Sequence, residues 1–457
     1  MGKRIRFPIA VTLLALVLAA CGTRVDKEAY LAALRRQLQA GAQQGGGPAA
    51  TGGPTRPGGP AATATTGGSA TNTGKGGTGS TGGSSGSSGS DAEKLKLSTA
   101  VAGNVISIGM HIPLTGAAPL PTNFSDVVDA VEEYFNAEAK INGRTVRFII
   151  EDDGYDPAKG AAACRKLAEA NPLFVIGHTM PAVQDTCAGL FNSRRIPYLM
   201  RGTYEEVLKN RPLAFFGTIS DDRQGRLLAQ YVMNRLDGKN HKIAVVYQND
   251  QTAAYGAFSS EVKARGGKIV VAEQSAPRQS DYAATVQKLR QAGADIVFLS
   301  MPPVDAIKIS VQSQGDGYHP TWLSGATYWN YNLSVQSAGM ALDGAIAFSP
   351  WPTIDSAAAN SFTDMWRRYR PNSEPEDLGL IIWGWANLAR NAMLAAGPQL
   401  SRATLFDALN RFSFNETYWQ SVTYTESNHN GATSVAVFRA DGQSKRWRQV
   451  SGFASSF

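Results

Sequence analysis

"TVRFIIEDDGYDPAKGAAACRKLAEANPLFVIG", Thr145 to Gly177, decides the fold. Thr145 to Asp152 is a short run carrying Val146, Phe148, Ile149 and Ile150 and ending at turn residues, the pattern of a strand. "PAKGAAACRKLAEA" then reads as a helix opened by proline, and "LFVIG" as a second strand. The same alternation continues outward. Upstream stand strand "NVISIGM" and helix "DVVDAVEEYFNAEA", with Val127, Val128, Val131, Tyr134 and Phe135 on one helical face. Downstream stand helix "AVQDTCAGLFNS" and strand "IPYLM". Beyond Asp221 it resumes: helix "RQGRLLAQYVMNRL", strand "KIAVVYQ", helix "YGAFSSEVKAR", strand "KIVVA", helix "DYAATVQKLRQAG", strand "DIVFLS" and helix "VDAIKISVQSQG". Two successive βα series predict an α/β protein of two lobes, each a parallel sheet flanked by helices. The segment Val435 to Val450 is expected to form a hairpin turning at Asp441-Gly442.

The amino terminus is of another kind. Lys3, Arg4 and Arg6 precede an apolar run, Phe7 to Ala20, shorter than the about 20 residues a membrane span requires. It reads as a signal peptide. Leu18-Ala19-Ala20-Cys21 resembles the lipobox of bacterial lipoproteins, which implies cleavage before Cys21 and a lipid on its thiol; the competing reading is an ordinary secretory signal. Val25, Tyr30, Leu31, Leu34 and Leu38 suggest a weak membrane-proximal helix. From Gly41 to Asp91 the chain is nearly all Gly, Ser, Thr, Ala and Pro, too poor in apolar surface to fold. A Gly-rich coil of that length has an r.m.s. reach of about 40 Å. The expected organisation is signal peptide 1–20, lipid-anchored tether 21–103, lobe 1 from 104–221 and 345–425, and lobe 2 from 222–344 and 426–457.

Composition narrows the function. A net charge of +7 over 457 residues is mild and is not gathered with stacking aromatics, so nucleic acid is not an expected partner. With Cys21 lipidated, Cys164 and Cys187 remain, an even pair in an oxidising compartment. In a 2-1-3 strand order with right-handed crossovers their helices lie side by side. A disulfide between them is expected, with two buried thiols as the alternative. His111 and His178 lack companions at metal-ligand spacing and read as satisfied polar residues, so no metal and no cofactor are expected. Asp152-Asp153 reads as a turn and N-cap before Pro157 rather than an acid/base pair, because neighbours on a strand point to opposite faces. No nucleophile elbow, P-loop, H-E-x-x-H or dinucleotide fingerprint occurs. An enzyme is not expected.

In open α/β sheets ligands gather beyond the carboxyl ends of the strands. Those ends carry His111 to Gly116, His178 to Pro181 and Arg201 to Thr203 in lobe 1, and Gln248 to Asp250, Ser300 to Pro302 and Ala326 to Tyr328 in lobe 2.

"IPLTGAA", "EDDGYDPAKG", "FVIGHTM", "SDDRQG", "YQNDQTAAYG" and "ADIVFLS" follow the order and approximate spacing of the branched-chain amino-acid binding proteins, a branch of the type I periplasmic binding proteins. From about Val105 onward the chain resembles that family. The resemblance implies a two-lobed clam with three crossovers, here near Asp221, Gly344 and Thr425, that delivers a small solute to an ABC-type permease in the membrane. The family holds an amino acid through a serine and a threonine at the carboxylate and an acid at the ammonium. Thr203 keeps the threonine; Pro181 stands at the serine and Ala326 near the acid, and Pro302 near a usual aromatic. Pro181 offers neither hydroxyl nor N–H, and a buried ammonium without a countercharge is costly. Arg201 replaces a small residue and suits a carboxylate. Trp385 falls where the family often has a cleft tyrosine, with core packing as the alternative, and Tyr255 matches a ligand-contacting tyrosine.

The expected ligand-binding set is Thr115, Gly116, Met180, Pro181, Arg201, Gly202, Thr203, Asp221, Tyr255, Pro302, Ala326, Tyr328 and Trp385. The function expected is a lipid-anchored, extracytoplasmic, monomeric solute-binding protein of an ABC importer. Its solute would be a carboxylate with an apolar or aromatic body, or else amide-like. A tethered sensor signalling to a membrane partner is the alternative.

Overall fold

Strand β1 (Val105–Ile112) lies parallel to β2 (Thr145–Asp152), from Val105 opposite Thr145 to Ile112 opposite Asp152. The computed structural model to which these strands belong describes residues 91–116 and 124–457. The signal peptide, Cys21, the helical pattern after it and most of the tether lie outside the described residues. With β3 (Phe174–Gly177), β4 (Tyr198–Met200) and β5 (Ala214–Phe216) the first sheet has the order β2-β1-β3-β4-β5, parallel throughout. Ile106, Ile108, Met110 and Ile112 of β1 are all buried, because helices cover the sheet and its central strand meets no water.

Helix α1 (Phe124–Ala137) buries Val127, Val128, Val131 and Phe135. Helix α2 (Pro157–Ala170) begins where the Asp156 carboxylate accepts the N–H groups of Ala158 and Lys159, and it ends at Asn171 in a left-handed conformation. Asp156, not the Asp152-Asp153 pair, is thus the N-cap: β2 runs on to Asp152, and the turn occupies the next residues. Helix α3 (Pro181–Ser193) packs beside α2 at Gly160, where a Cβ would come within 2.4 Å of Val183. That closeness brings Cys164 and Cys187 together in a disulfide, Cα to Cα 5.7 Å, as the 2-1-3 order requires.

The second lobe is built from α4 (Asp221–Arg235), β6 (Lys242–Tyr247), α5 (Thr252–Ala264), β7 (Lys268–Gln274), α6 (Ala283–Ala292), β8 (Ile296–Ser300), α7 (Pro303–Gly315), β9 (Thr321–Ser324), α8 (Asn332–Ala338) and β10 (Ile346–Ser349), its strands forming the second sheet. The chain then returns to the first lobe as α9 (Asn360–Tyr369), α10 (Gly379–Ala395), α11 (Arg402–Leu409) and the small pair β11 (Ser413–Phe414) and β12 (Val422–Thr423). It finishes in the second sheet as β13 (Val435–Asp441) and β14 (Arg446–Ala454). The order is β14-β13-β10-β9-β8-β6-β7.

Three expectations need correction. The second sheet is mixed, since β13 runs antiparallel to β10 and β14 to β13; a tight hairpin leaves no chain for a parallel crossover. The crossovers fall later than Gly344 and Thr425, because the buried run Ile346–Ser349 completes the second sheet and Phe216 of β5 still bridges Asn430. The tether ends before residue 103: Ala92 and Leu97 are buried, Ala102 N–H donates to Leu400 O, and Ala403 N–H to Ser98 O. Those apolar side chains dock the last stretch on lobe 1. Among the described residues no helix is long and apolar enough to cross a membrane.

Candidate functional site

The chain passes between lobes at Asp221, the first residue of α4, and the polar centre forms there. The Arg201 guanidinium, projecting from the end of β4, makes four contacts of 3.3 to 3.5 Å with the Asp221 carboxylate. Arg201 is 3% exposed and Asp221 1%. From the second lobe the Tyr328 hydroxyl donates to Asp221 Oδ1 at 3.3 Å, and the Tyr328 ring lies 5.8 Å from Arg201 Cζ. Gln224 Nε2 donates to the same carboxylate at 2.5 Å. Arg201 Nη1 also donates to Gly202 O at 3.0 Å. Burial pushes the Asp221 carboxyl up to about 6, although Arg201 pulls the other way. Burial likewise opposes the Arg201 charge, but Asp221 and the surrounding phenols more than offset it, so the arginine is a cation.

The neighbouring backbone is equally fixed. Gly202 N–H donates to Thr218 Oγ1 at 2.8 Å and Asp221 N–H to Thr203 O at 2.9 Å, while the buried Thr203 hydroxyl has no partner. A Cβ on Gly202 would lie 2.3 Å from Ile219 O, so no larger residue fits between Arg201 and Thr203.

Behind this centre runs an aromatic row. Tyr331 stacks on Trp351 (centroids 5.8 Å), Trp351 on Trp419 (5.9 Å), and Trp385 meets Trp419 edge-on (5.9 Å). The Trp385 indole N–H donates to His178 Nδ1 at 3.2 Å. Burial, with Arg201 nearby, lowers the His178 pKa to about 3, so this histidine is a neutral acceptor. Trp385 is 0% exposed, and a Cβ on Gly217 would come within 2.3 Å of its ring. Across the cleft Asp377, pushed up to about 6 by burial, accepts the N–H of Asn332 at 2.6 Å.

Sequence expectations meet this geometry unevenly. Arg201, Gly202, Thr203, Asp221 and Tyr328 converge. Thr115 and Gly116 are exposed, and Thr115 is tied to Asp152: Leu114 and Thr115 N–H donate to Oδ1 at 2.9 and 3.1 Å, and the Thr115 hydroxyl to Oδ2. Partial burial opposes ionisation of Asp152, but these bonds and that from Gly154 lower its pKa. Met180 and Pro181 form the start of α3, Pro302 precedes α7, and Ala326 is fully buried. Tyr255 stacks face to face on Tyr247, centroids 3.9 Å. His111 is satisfied by Asp153 Oδ2 at 3.1 Å and the Tyr198 hydroxyl at 2.7 Å. Asp250 lies at a strand end already expected to face the cleft, whereas Tyr155, Gln251, Tyr331 and Trp351 were not anticipated. Tyr155 carried one signal, a large residue in the loop directly after a strand.

Two α/β lobes joined by three crossovers, with a buried polar centre at their junction, define a hinged binding protein. The chain belongs to the periplasmic binding protein family, whose sequence profile matches residues 105–445. It is similar to Leu/Ile/Val-binding protein homolog 2 of Brucella abortus (strain 2308), 26% identical over 301 residues, 64% of this chain and 79% of that one. Among solved structures it resembles a fatty acid ABC transporter substrate-binding protein from Thermomonospora curvata (TM-score 0.68, 18% identity, 78% of this chain and 94% of that one). It also resembles LivJ from Streptococcus pneumoniae in complex with isoleucine (TM-score 0.65, 20% identity, 77% and 99%). This is a solute-binding family, not an enzyme family.

Proposed function

We propose that this chain is the solute-capturing lipoprotein of an ABC importer. Anchored through Cys21, it closes two lobes over a small solute and presents it, as a monomer, to a membrane permease. The buried Arg201–Asp221 pair capped by Tyr328 carries the chemistry. A guanidinium beside a carboxylate offers donors and an acceptor together, which matches a carboxamide: its C=O accepts from Arg201 and its N–H donates to Asp221. A carboxylate solute satisfies only the arginine and must share it with Asp221. An amide-like polar end is therefore favoured over a bare carboxylate. Thr203, with its unpartnered hydroxyl, adds a further bond, and Met180, Pro181, Pro302 and Ala326 line the body.

A thermal-shift screen of amides, aliphatic and aromatic carboxylates and amino acids tests this, since a tight ligand stabilises by mass action. Primary amides should raise the unfolding temperature of wild type. Arg201→Ala should weaken their binding by about 2 kcal/mol or more, the scale of losing one side of a buried charged contact. Tight leucine or valine binding unchanged in Arg201→Ala would refute the proposal.

A further inference from the structure

We infer that the seam between the lobes holds a second polar subsite, made by Tyr155, Asp250 and Gln251, that receives a hydrogen-bond donor at the far end of the captured solute. This rests on the cleft being the solute site. The turn Asn249–Gln251 between β6 and α5 packs against α3 of the first lobe. Tyr155 reaches it from the loop after β2. Its φ is +50°, a left-handed conformation uncommon for a residue with a Cβ. Asp153 Oδ1 holds that conformation by accepting Tyr155 N–H at 2.9 Å, and it also accepts the Thr179 hydroxyl. Such a conformation persists when its surroundings determine it, and it concentrates at ligand clamps.

The chemistry of the seam is one-sided. Gln251 is 2% exposed; its amide nitrogen donates to Asp250 Oδ2 at 3.3 Å and faces the Tyr155 hydroxyl at 3.5 Å. Its Oε1 is buried without a partner. Asp250 is a second acceptor, its carboxyl pushed up by burial and steadied by Gln251, Arg201 and Tyr155. What remains unsatisfied is acceptor capacity, and an unmet buried acceptor is costly. Burial first, and then the charge of Asp250, hold the Tyr155 phenol well above its ordinary pKa, with Arg201 pulling the other way, so it faces Gln251 as a neutral hydroxyl. Arg201 is already bonded to Asp221, so its pull on Asp250 is shared, and these three groups carry one carboxylate more than they carry cations. The group that fits is an N–H donor, best an ammonium or amidinium, on a solute whose other end is the amide.

Propionamide and 3-aminopropionamide are the probes, titrated calorimetrically into wild type, Asp250→Asn, Tyr155→Phe and Arg201→Ala, each first checked for a cooperative unfolding transition. The amino-amide should bind wild type at least about tenfold more tightly than propionamide. Asp250→Asn should remove most of that advantage, Tyr155→Phe should reduce it, and Arg201→Ala should weaken both probes. Equal binding by wild type, or an advantage that survives Asp250→Asn, overturns the subsite while leaving the cleft standing. Propionamide binding that is indifferent to Arg201→Ala overturns the cleft reading itself. Should neither amide bind, both are overturned.

Discussion

Asp221→Asn isolates the charge at the centre of the cleft. The amide has the shape of the protonated acid and still accepts from Tyr328 and Gln224, so at low pH the variant and wild type should be nearly equal in stability. They should part as pH rises. The Asp221 carboxyl is raised from 3.8 to about 6; a group raised in the folded state contributes stability that is present below its unfolded value and is lost as pH rises through its folded value. The rise corresponds to about 3 kcal/mol, lost by wild type between roughly pH 4 and pH 6 and absent from the variant. Asp377 is raised in the same way, but it titrates in both proteins and cancels in the difference. Urea unfolding followed by tryptophan fluorescence at half-unit steps from pH 4 to 7.5 measures it. The gap should open by about 3 kcal/mol in favour of the variant. A gap that opens in favour of wild type would mean that the Arg201–Asp221 attraction outweighs burial, and the account of the centre would be wrong.

Other outcomes follow from single features. Cys21→Ser should release the protein from membranes or leave an uncleaved precursor; a processed variant that still fractionates with membranes would refute the anchor. Cys164→Ala should cost roughly 3 kcal/mol for a closed loop of this size in the chain-entropy model, read as a lower urea midpoint with a slope equal to or steeper than wild type as the unfolded chain loses its constraint, and an unchanged midpoint would refute that share. Gly217→Ala places a methyl group 2.3 Å from the Trp385 ring. Overpacking of that kind costs about 1–3 kcal/mol, and near-UV circular dichroism should report displacement of the indole.

Elements whose period and length are local were legible in the chain. β2 and α2 have the bounds Thr145–Asp152 and Pro157–Ala170, as their composition indicates, because apolar spacing and a proline at the first helical turn act within a few residues. The disulfide was legible too, since strand order places consecutive helices side by side. Arg201, Thr203 and Tyr328 could be nominated because strand ends in this architecture face the cleft, and Asp221 because a crossover between lobes was expected there. Their grouping could not be read. Whether Arg201 greets a solute alone or already paired depends on Asp221, which lies twenty positions along the chain, and on a tyrosine from the opposite lobe. Tyr255 has the local setting of a cleft residue, and its stack on Tyr247 could not be read from that setting. Trp385 reads equally well as wall or core, and its close fit against Gly217 and its bond to His178 were legible from neither reading. The sequence by itself determined the two α/β lobes, the alternation that builds them and the strand ends where a site must lie, since these follow from short-range periodicity. Only the tertiary structure decided which charges meet in the cleft, because burial and partner distance belong to contacts between residues far apart in the chain.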